Sequence, residues 1–347
     1  MSRTTSTLSS PRGEITLFTL TNACGAQVVL STLGAGVVAI RVPDADGNLA
    51  DVLTGYQNVI DYICDGPCMG KTPGRYANRI AHGRFALDGN KYELACNCGP
   101  HHLHGGPEGF QNKIWEIDFL SDDVVRFALE SPDGDEGYPG HVRVEIRYRW
   151  SDDCALHINY KARTDAPTVI NLTNHPYFNL DGHNAGFALH HKLRIAASRW
   201  LETDESLAPT GAMPSVAGTP MDFTTMHEIA RDFNAEFPAL RHGKGYDHCF
   251  VLDEPSIAQA SVELVAPTSK RRLEIFTDQP GVQLYTGNWL TGSPMGKDNT
   301  AYTDYCAVAL ECQGLPDAPN HPNFPSQVLR PGETYQRSII YRFSTTD

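Results

Sequence analysis

The chain has 347 residues, 41% hydrophobic and 20% charged, with 30 Gly and 23 Pro, which is apolar enough for a large packed core and too weakly charged for a disordered chain. Its 28 basic and 41 acidic residues give a formal charge of −13, and its longest basic run, Lys270-Arg271-Arg272, is too short to track a phosphate backbone, so nucleic acid is excluded as a partner. No apolar stretch approaches the roughly 20 residues of a membrane-spanning helix.

Residues 1–12 are rich in Ser and Thr, carry two Arg and lack the apolar centre of a secretory signal. They are expected as a flexible tail, and the protein as cytoplasmic. Nine cysteines (Cys24, Cys64, Cys68, Cys96, Cys98, Cys154, Cys249, Cys306 and Cys312) cannot all pair within one chain, and their spacing matches no small disulfide scaffold. Reduced thiols are the economical reading.

Strand signals begin at 15–21, 26–33 and 37–42, and a turn or two of helix is predicted at 59–63. Segments 85–87 and 92–94 flank Asp88-Gly89-Asn90, whose residues tolerate positive φ. Segments 113–120 and 124–130 are joined by Ser121-Asp122-Asp123. Strict alternation follows, with Val142, Val144, Ile146, Tyr148 and Trp150 set against Arg143, Glu145, Arg147 and Arg149. After Ser151-Asp152-Asp153 it resumes at Leu156, Ile158 and Tyr160, which predicts a hairpin. Further strands are predicted at 192–196, 261–266, 272–277, 283–286, 307–310 and 335–343, with a second short helical turn within 225–233. Many short strands between Gly, Pro and Asp turns, and no long stripe of period 3.6, predict an all-β sandwich or large barrel with few short helices. No linker or repeat divides the chain, so residues 13–347 are read as one domain, long though that is for a single core.

Four segments break the strand pattern with dense polar and aromatic content, namely 74–85, 99–110, 171–180 and 309–326, and the shorter 245–250 and 279–289 join them. Information-rich loops on a β scaffold are where binding and chemistry concentrate. His175 precedes Pro176, which biases it toward extended geometry, and an imidazole titrates near neutrality, so it suits an acid or base as well as a strand cap. Glu311 continues the run Val308-Ala309-Leu310 and by alternation shares a face with Ala309. It is either a buried carboxylate in need of partners or an edge-strand residue facing water. Arg79, His104, Asp247 and Gln283 each sit beside glycine or aromatic residues, where a backbone can approach a ligand and a ring can cover an apolar face. Such a set, an acid/base pair with donors and acceptors for hydroxyls, suits a small polyhydroxylated ligand, and the chain has no phosphate cradle. The run Cys96, Cys98, His101, His102 and His104 contains zinc-ligand types, but it is crowded into nine residues without the regular gaps of a zinc site and is read as ordinary loop thiols and histidines.

Six segments in register, GRYANRIAHGRF, LHGGPEGF, TNHPYFNL, GYDHCF, QPGVQLYTGN and LECQGLPDAPNHPNFP, closely resemble the aldose 1-epimerase (galactose mutarotase) family, from about residue 34 to 343. The resemblance implies a large antiparallel β-supersandwich, with Glu311 as catalytic base, His175 as catalytic acid, and Arg79, His104, Asp247 and Gln283 as sugar-binding residues. It also places Asn78 near the sugar. It implies a monosaccharide substrate, no metal and no organic cofactor, and the chain is expected as a monomer or weak homodimer. Small departures occur where His101 replaces a common Asn, Cys312 a Thr, and Gly314-Leu315 a bulkier pair, which leaves the preferred sugar open.

Ring opening of a hemiacetal removes a proton from the anomeric hydroxyl and delivers one to the ring oxygen, so it needs two groups in opposite protonation states. Three other readings are weighed against it. A glycoside hydrolase would need two carboxyls across one bond, for which Asp247 and Glu311 are candidates. A non-catalytic sugar-binding protein or sensor would be expected to lose Glu311 or His175. A sugar-phosphate epimerase would be expected to carry an Arg/Lys cluster.

Overall fold

The computed structural model describes residues 1–346 as three large antiparallel sheets and three two-stranded ones joined by long loops. The first is a five-stranded meander of Ser2–Ser10, Gly13–Thr21, Gln27–Ser31, Gly36–Pro43 and Leu49–Asp51. The second has nine strands in the spatial order Glu116–Leu120, Val124–Ser131, Val142–Trp150, Ala155–Thr164, Tyr335–Thr345, Arg271–Thr277, Val262–Val265, Lys192–Ile195 and His227–Glu228. The third runs Tyr177–Phe178, Val308–Gln313, Gly281–Tyr285, Asp247–Val251 and Arg199–Trp200. Among the described residues there is one α-helix, Pro238–Gly243, and the other helical turns are 3-10. The all-β expectation therefore holds, and no helix of the described residues is long and apolar enough to cross a membrane.

The alternation at 142–150 sets its buried residues inward and pairs the strand register-perfect with Ala155–Thr164, from Val142 opposite Thr164 to Trp150 opposite Leu156. Buried side chains of all three large sheets then meet in one cluster. Phe18, Val28 and Leu30 come from the first, Ile146, Ile158 and Tyr341 from the second, and Phe250, Val282, Leu284 and Leu310 from the third. Some aromatic polar tips in this cluster are satisfied by backbone, as where Trp150 Nε1 donates to Ala26 O at 3.1 Å and Tyr148 OH to Ala35 O at 2.6 Å.

Four local expectations need correction. Residues 2–10, predicted as a flexible tail, form a strand paired residue for residue with Gly13–Thr21. Both faces of that strand are largely exposed, so selection placed no apolar alternation there, and Ser and Thr suffice for an edge position. Arg3 ties it to the second sheet by donating to Ser121 O at 2.9 Å. The strand predicted at 113–120 begins only at Glu116, because Phe110–Asn112 forms a 3-10 turn and Ile114 makes an isolated bridge to Leu33. The helical turn expected in 225–233 is reduced to Ile229–Asp232, after the short strand His227–Glu228. The helix Pro238–Gly243 was not anticipated, since six residues are too few to show a period.

The central strand Val308–Gln313 is buried along its whole length, so Leu310 faces the common core while Glu311 takes the opposite side. Leu310→Ala should leave a cavity in that core and lower stability by about 2–5 kcal/mol. Urea denaturation followed by tryptophan fluorescence measures it, and a loss under about 1 kcal/mol would contradict the packing described.

Candidate active site

Three pieces of backbone converge above the third sheet. The sheet itself sets Gln283 directly opposite Glu311, and Cys249 directly opposite Gln283. Asp247, two residues before Cys249, shares that face because side chains alternate along a strand. Glu311 is paired with Gln283 on one side, beyond the short contact of Val308 and Ala309 with Tyr177–Phe178 on the other, and its burial excludes the alternative of an edge-strand residue facing water. The second piece is the segment ahead of Tyr177. His175 N donates to Lys71 O at 2.9 Å, Gly70 N donates to His175 O at 2.8 Å, and Asn174 Nδ2 reaches Gly70 O at 2.7 Å. Lys71 is itself immobilised by an ion pair with Asp65 and by donating to Tyr62 O at 2.6 Å. The third piece is the two-residue ladder Arg79–Ile80 with His102–Leu103. Asn78 and His104, at its ends, both have positive φ (64° and 54°) and hold each other, with His104 N donating to Asn78 O and Asn78 N to His104 Nδ1, both at 3.1 Å. Gly105 follows at φ 80°, and a Cβ there would overlap the carbonyl of Gly74, so the close turn that presents His104 requires glycine.

His175 Nε2 lies 3.3 Å from Glu311 Oε1, and the two residues are only 4% and 2% exposed. The His175 ring stacks on Tyr177 at 4.9 Å and meets His104 edge-on at 5.3 Å. Arg79 Nη2 stands 3.6 Å from Asp247 Oδ2, while Gln283 Nε2 donates to Asp247 Oδ1 at 2.6 Å. A cleft of about 710 Å³ opens over this floor and is lined by Asn78, Arg79, His104, His175, Asp247 and Glu311, a size suited to a small molecule. Six of the seven residues singled out in the sequence therefore share one cavity wall. Gln283 sits one layer back and bears on Asp247. Several buried polar atoms here have no protein partner, among them Arg79 Nε, Glu311 Oε2 and His175 Nδ1, so the site holds donors and acceptors in reserve.

Sequence reasoning missed the upper wall. Tyr285 and Trp289 stack at 6.1 Å and 18°, and Trp289, 45% exposed, lies at the mouth beneath Lys244. Glu205, Ser206 and Leu207 also line the cleft, in a turn held by Asp204, which accepts from Ser206 N and Ala208 N at 2.8 and 3.2 Å. Tyr285 and Trp289 fall within the 279–289 segment noted for its aromatic content, whereas nothing about 204–207 distinguishes it from any surface turn. His101 reaches this turn from below, its Nε2 lying 2.7 Å from Ser206 Oγ.

The profile of a protein family described as aldose 1-epimerase matches residues 16–342. The chain belongs to the aldose 1-epimerase family. Among its relatives, the aldose 1-epimerase of Escherichia coli K12 is 40% identical over 330 residues, 94% of each chain. The human galactose mutarotase is 39% identical over 318 residues, 92% of this chain and 91% of the relative. A solved aldose epimerase homologue from C. elegans superposes with a TM-score of 0.88 at 31% identity, covering 95% of this chain and 99% of that one. The galactose 1-epimerase of Lactobacillus acidophilus superposes with a TM-score of 0.86 at 26% identity over the full length of both. The galactose mutarotase-like β-sandwich expected from the motifs is thereby established.

Burial acts on Glu311 and His175 in opposite directions. Desolvation, reinforced by the charge of Asp247, raises the Glu311 carboxyl well above its usual value, and desolvation lowers His175 to about 4. Both shifts favour the uncharged forms, so the arrangement with the shared proton on Glu311 is the one that burial favours. The carboxylate–imidazolium form expected from the sequence differs from it only by transfer of that proton across the 3.3 Å contact. His104 also falls well below its ordinary value, through burial and then the neighbouring His175 and Arg79. Because its Nδ1 accepts from Asn78, a neutral His104 carries its proton on Nε2 and acts as a donor.

That tautomer bears on metal binding. His104, His175 and Glu311 lie close enough to share an ion, but a protonated Nε2 on His104 cannot ligate. The Cys96 to His104 run is likewise committed elsewhere. His101 Nδ1 accepts from His82 N at 3.1 Å and its Nε2 meets Ser206, while His102 meets Ala95 O at 2.7 Å and Tyr138 OH at 2.8 Å.

The ordinary values of 4.5 and 6.5 would confine the singly protonated pair to the interval between them. With His175 lowered to about 4 and Glu311 raised, that state begins near pH 4 and its alkaline limit is set by Glu311. The kcat/KM profile should show no inflection at the ordinary imidazole value. It should fall on the acid side only near pH 4, as the pair takes a second proton, and on the alkaline side only where Glu311 loses its own. A decline centred on 6.5 would show that His175 titrates as an unperturbed imidazole.

Proposed function

We propose that this chain interconverts the α- and β-anomers of free aldoses such as glucose and galactose by acid/base ring opening and reclosure. The observation that carries the reading is the buried His175–Glu311 contact at the floor of a polar cleft. In this reading Glu311, as carboxylate, takes the anomeric hydroxyl proton while His175, as imidazolium, delivers one to the ring oxygen. The bond between C1 and the ring oxygen breaks, the open-chain aldehyde turns about C1–C2, and the reverse transfers close the other anomer. Each concerted transfer contributes roughly 10²–10⁴ in rate. Arg79, Asp247, Asn78 and the Nε2–H of His104 surround the pair and are assigned to sugar hydroxyls and to charge developing on the ring oxygen. Gln283 is assigned to fixing Asp247. Exclusion of water by the buried floor strengthens these interactions.

A non-catalytic sugar sensor on the same fold would have no use for two strongly perturbed groups in contact, because desolvating them opposes folding. A cleft assembled from residues 66 to 311 supports reading residues 13–347 as one domain. Nine free thiols support a cytoplasmic location.

Polarimetry of freshly dissolved α-D-glucose and α-D-galactose tests the activity, and a rotation change no faster than in buffer overturns it. Glu311→Gln should lower kcat by about 10²–10⁴. Sugar binding should persist in that variant, read as a change in the fluorescence of Trp289 at the cleft mouth. Retention of full activity would place the base elsewhere.

A further inference from the structure

Two turns from different sheets meet at a pair of thiols remote from the cleft. Cys24 lies between the strands Gly13–Thr21 and Gln27–Ser31, and Cys154 between Val142–Trp150 and Ala155–Thr164. Their sulfurs are 3.5 Å apart. Asn22, buried beside them, touches both, accepting from Cys24 Sγ at 3.1 Å through Oδ1 and donating from Nδ2 to Cys154 Sγ at 3.4 Å. Its amide is held in turn by Ser151 O at 3.1 Å and Ala26 N at 2.9 Å. Ala23 N donates to Asp152 Oδ1 at 2.9 Å, so the two turns are docked by polar contacts that do not involve sulfur. Cys24 is exposed to solvent, whereas Cys154 is buried.

We propose that Cys24 and Cys154 are a redox modification site that closes to a reversible disulfide, with a peroxide as oxidant. The exposed Cys24 thiolate attacks one peroxide oxygen and the O–O bond breaks. The sulfur becomes a sulfenic acid and, with hydrogen peroxide, one water leaves. The Cys154 sulfur then attacks Cys24 Sγ and displaces the hydroxyl as a second water, its own proton leaving with it. Two thiols and one peroxide thus give one disulfide and two waters. Burial raises the Cys154 thiol to about 11, which keeps it inert toward peroxide and reserves the first step for Cys24. The Asn22 Nδ2–H placed on Cys154 Sγ offsets part of that cost as the thiolate forms. Closing 3.5 Å to the roughly 2 Å of an S–S bond requires the turns to move little.

The bond would join positions 130 residues apart and fasten the first sheet to the nine-stranded one. A loop that long removes much conformational freedom from the unfolded chain. Neither cysteine lines the cleft, so the modification alters endurance and leaves catalysis alone.

The full-length reduced protein treated with a few equivalents of hydrogen peroxide, quenched with N-ethylmaleimide and digested without reductant, tests this by mass spectrometry. The expected result is a loss of two hydrogen atoms, a peptide pair linking Cys24 to Cys154, a Tm higher by about 5 °C or more, unchanged kcat, and reversal by dithiothreitol. Cys24→Ser, at an exposed position, should abolish both the link and the Tm shift, and Cys154→Ser should leave Cys24 stopped at the sulfenic or sulfinic stage. The proposal is overturned if Cys24 oxidises while Cys154 of the wild type remains free, or if the Tm shift survives in Cys24→Ser.

Discussion

The two-residue period of one buried strand separates the core of this molecule from its chemistry. Along Val308–Gln313, Leu310 and Cys312 enter the apolar cluster shared by all three large sheets, and the residue between them, Glu311, has nowhere to go but the opposite face. A one-residue slip in register would exchange the two, burying a carboxylate in hydrocarbon and setting leucine in the cleft. The same packing that stabilises the sheet therefore fixes the Glu311 carboxyl in place, and Gln283 and Asp247 inherit their positions from neighbouring strands in matching register.

Placing a carboxylate and an imidazole together in so dry a position opposes ionisation of each. The molecule answers with a shared proton, because the neutral pair and its ionised tautomer have the same net charge. The surrounding groups hold this balance. Asp247 favours keeping the proton on Glu311, Arg79 favours releasing it, and His104 is fixed as a donor by a backbone amide 26 residues earlier in the sequence. Rigid support reaches back from there, since the backbone that grips His175 belongs to Lys71, whose own charge is buried against Asp65 and Tyr62. A stiff scaffold of this kind keeps the preorganised groups from relaxing around whichever tautomer is present.

Period-two alternation at 142–150 and 335–343 was legible because one face of each strand is buried and the other wet. It failed at 2–10, where neither face is buried and hydrogen bonding alone holds the strand. Arg79, His104 and Asp247 stood out for their glycine and aromatic neighbours, His175 for its place before a proline and Glu311 as a carboxylate at the end of an apolar strand, and the motif resemblance implied their roles. The protonation state of the pair was not legible, since desolvation is a property of the packed molecule and not of any local pattern. Nor was the retreat of Gln283 behind Asp247, which depends on cross-strand register, or the contribution of 204–207, a turn whose Asp and Ser satisfy their own backbone like many others.

The cleft draws Asn78 and Arg79 from one loop, His175 from another and Asp247 and Glu311 from strands far along the chain. During synthesis, Glu311 emerges from the ribosome only after nearly nine-tenths of the polypeptide. Until Val308–Gln313 has inserted between Tyr177–Phe178 and Gly281–Tyr285, the residues on either side present unpaired strand edges, and such non-local insertion is slow compared with hairpin closure. Nascent chains of this molecule thus pass through an interval of exposed edges with no function to show for it, and the appearance of turnover marks the end of that interval.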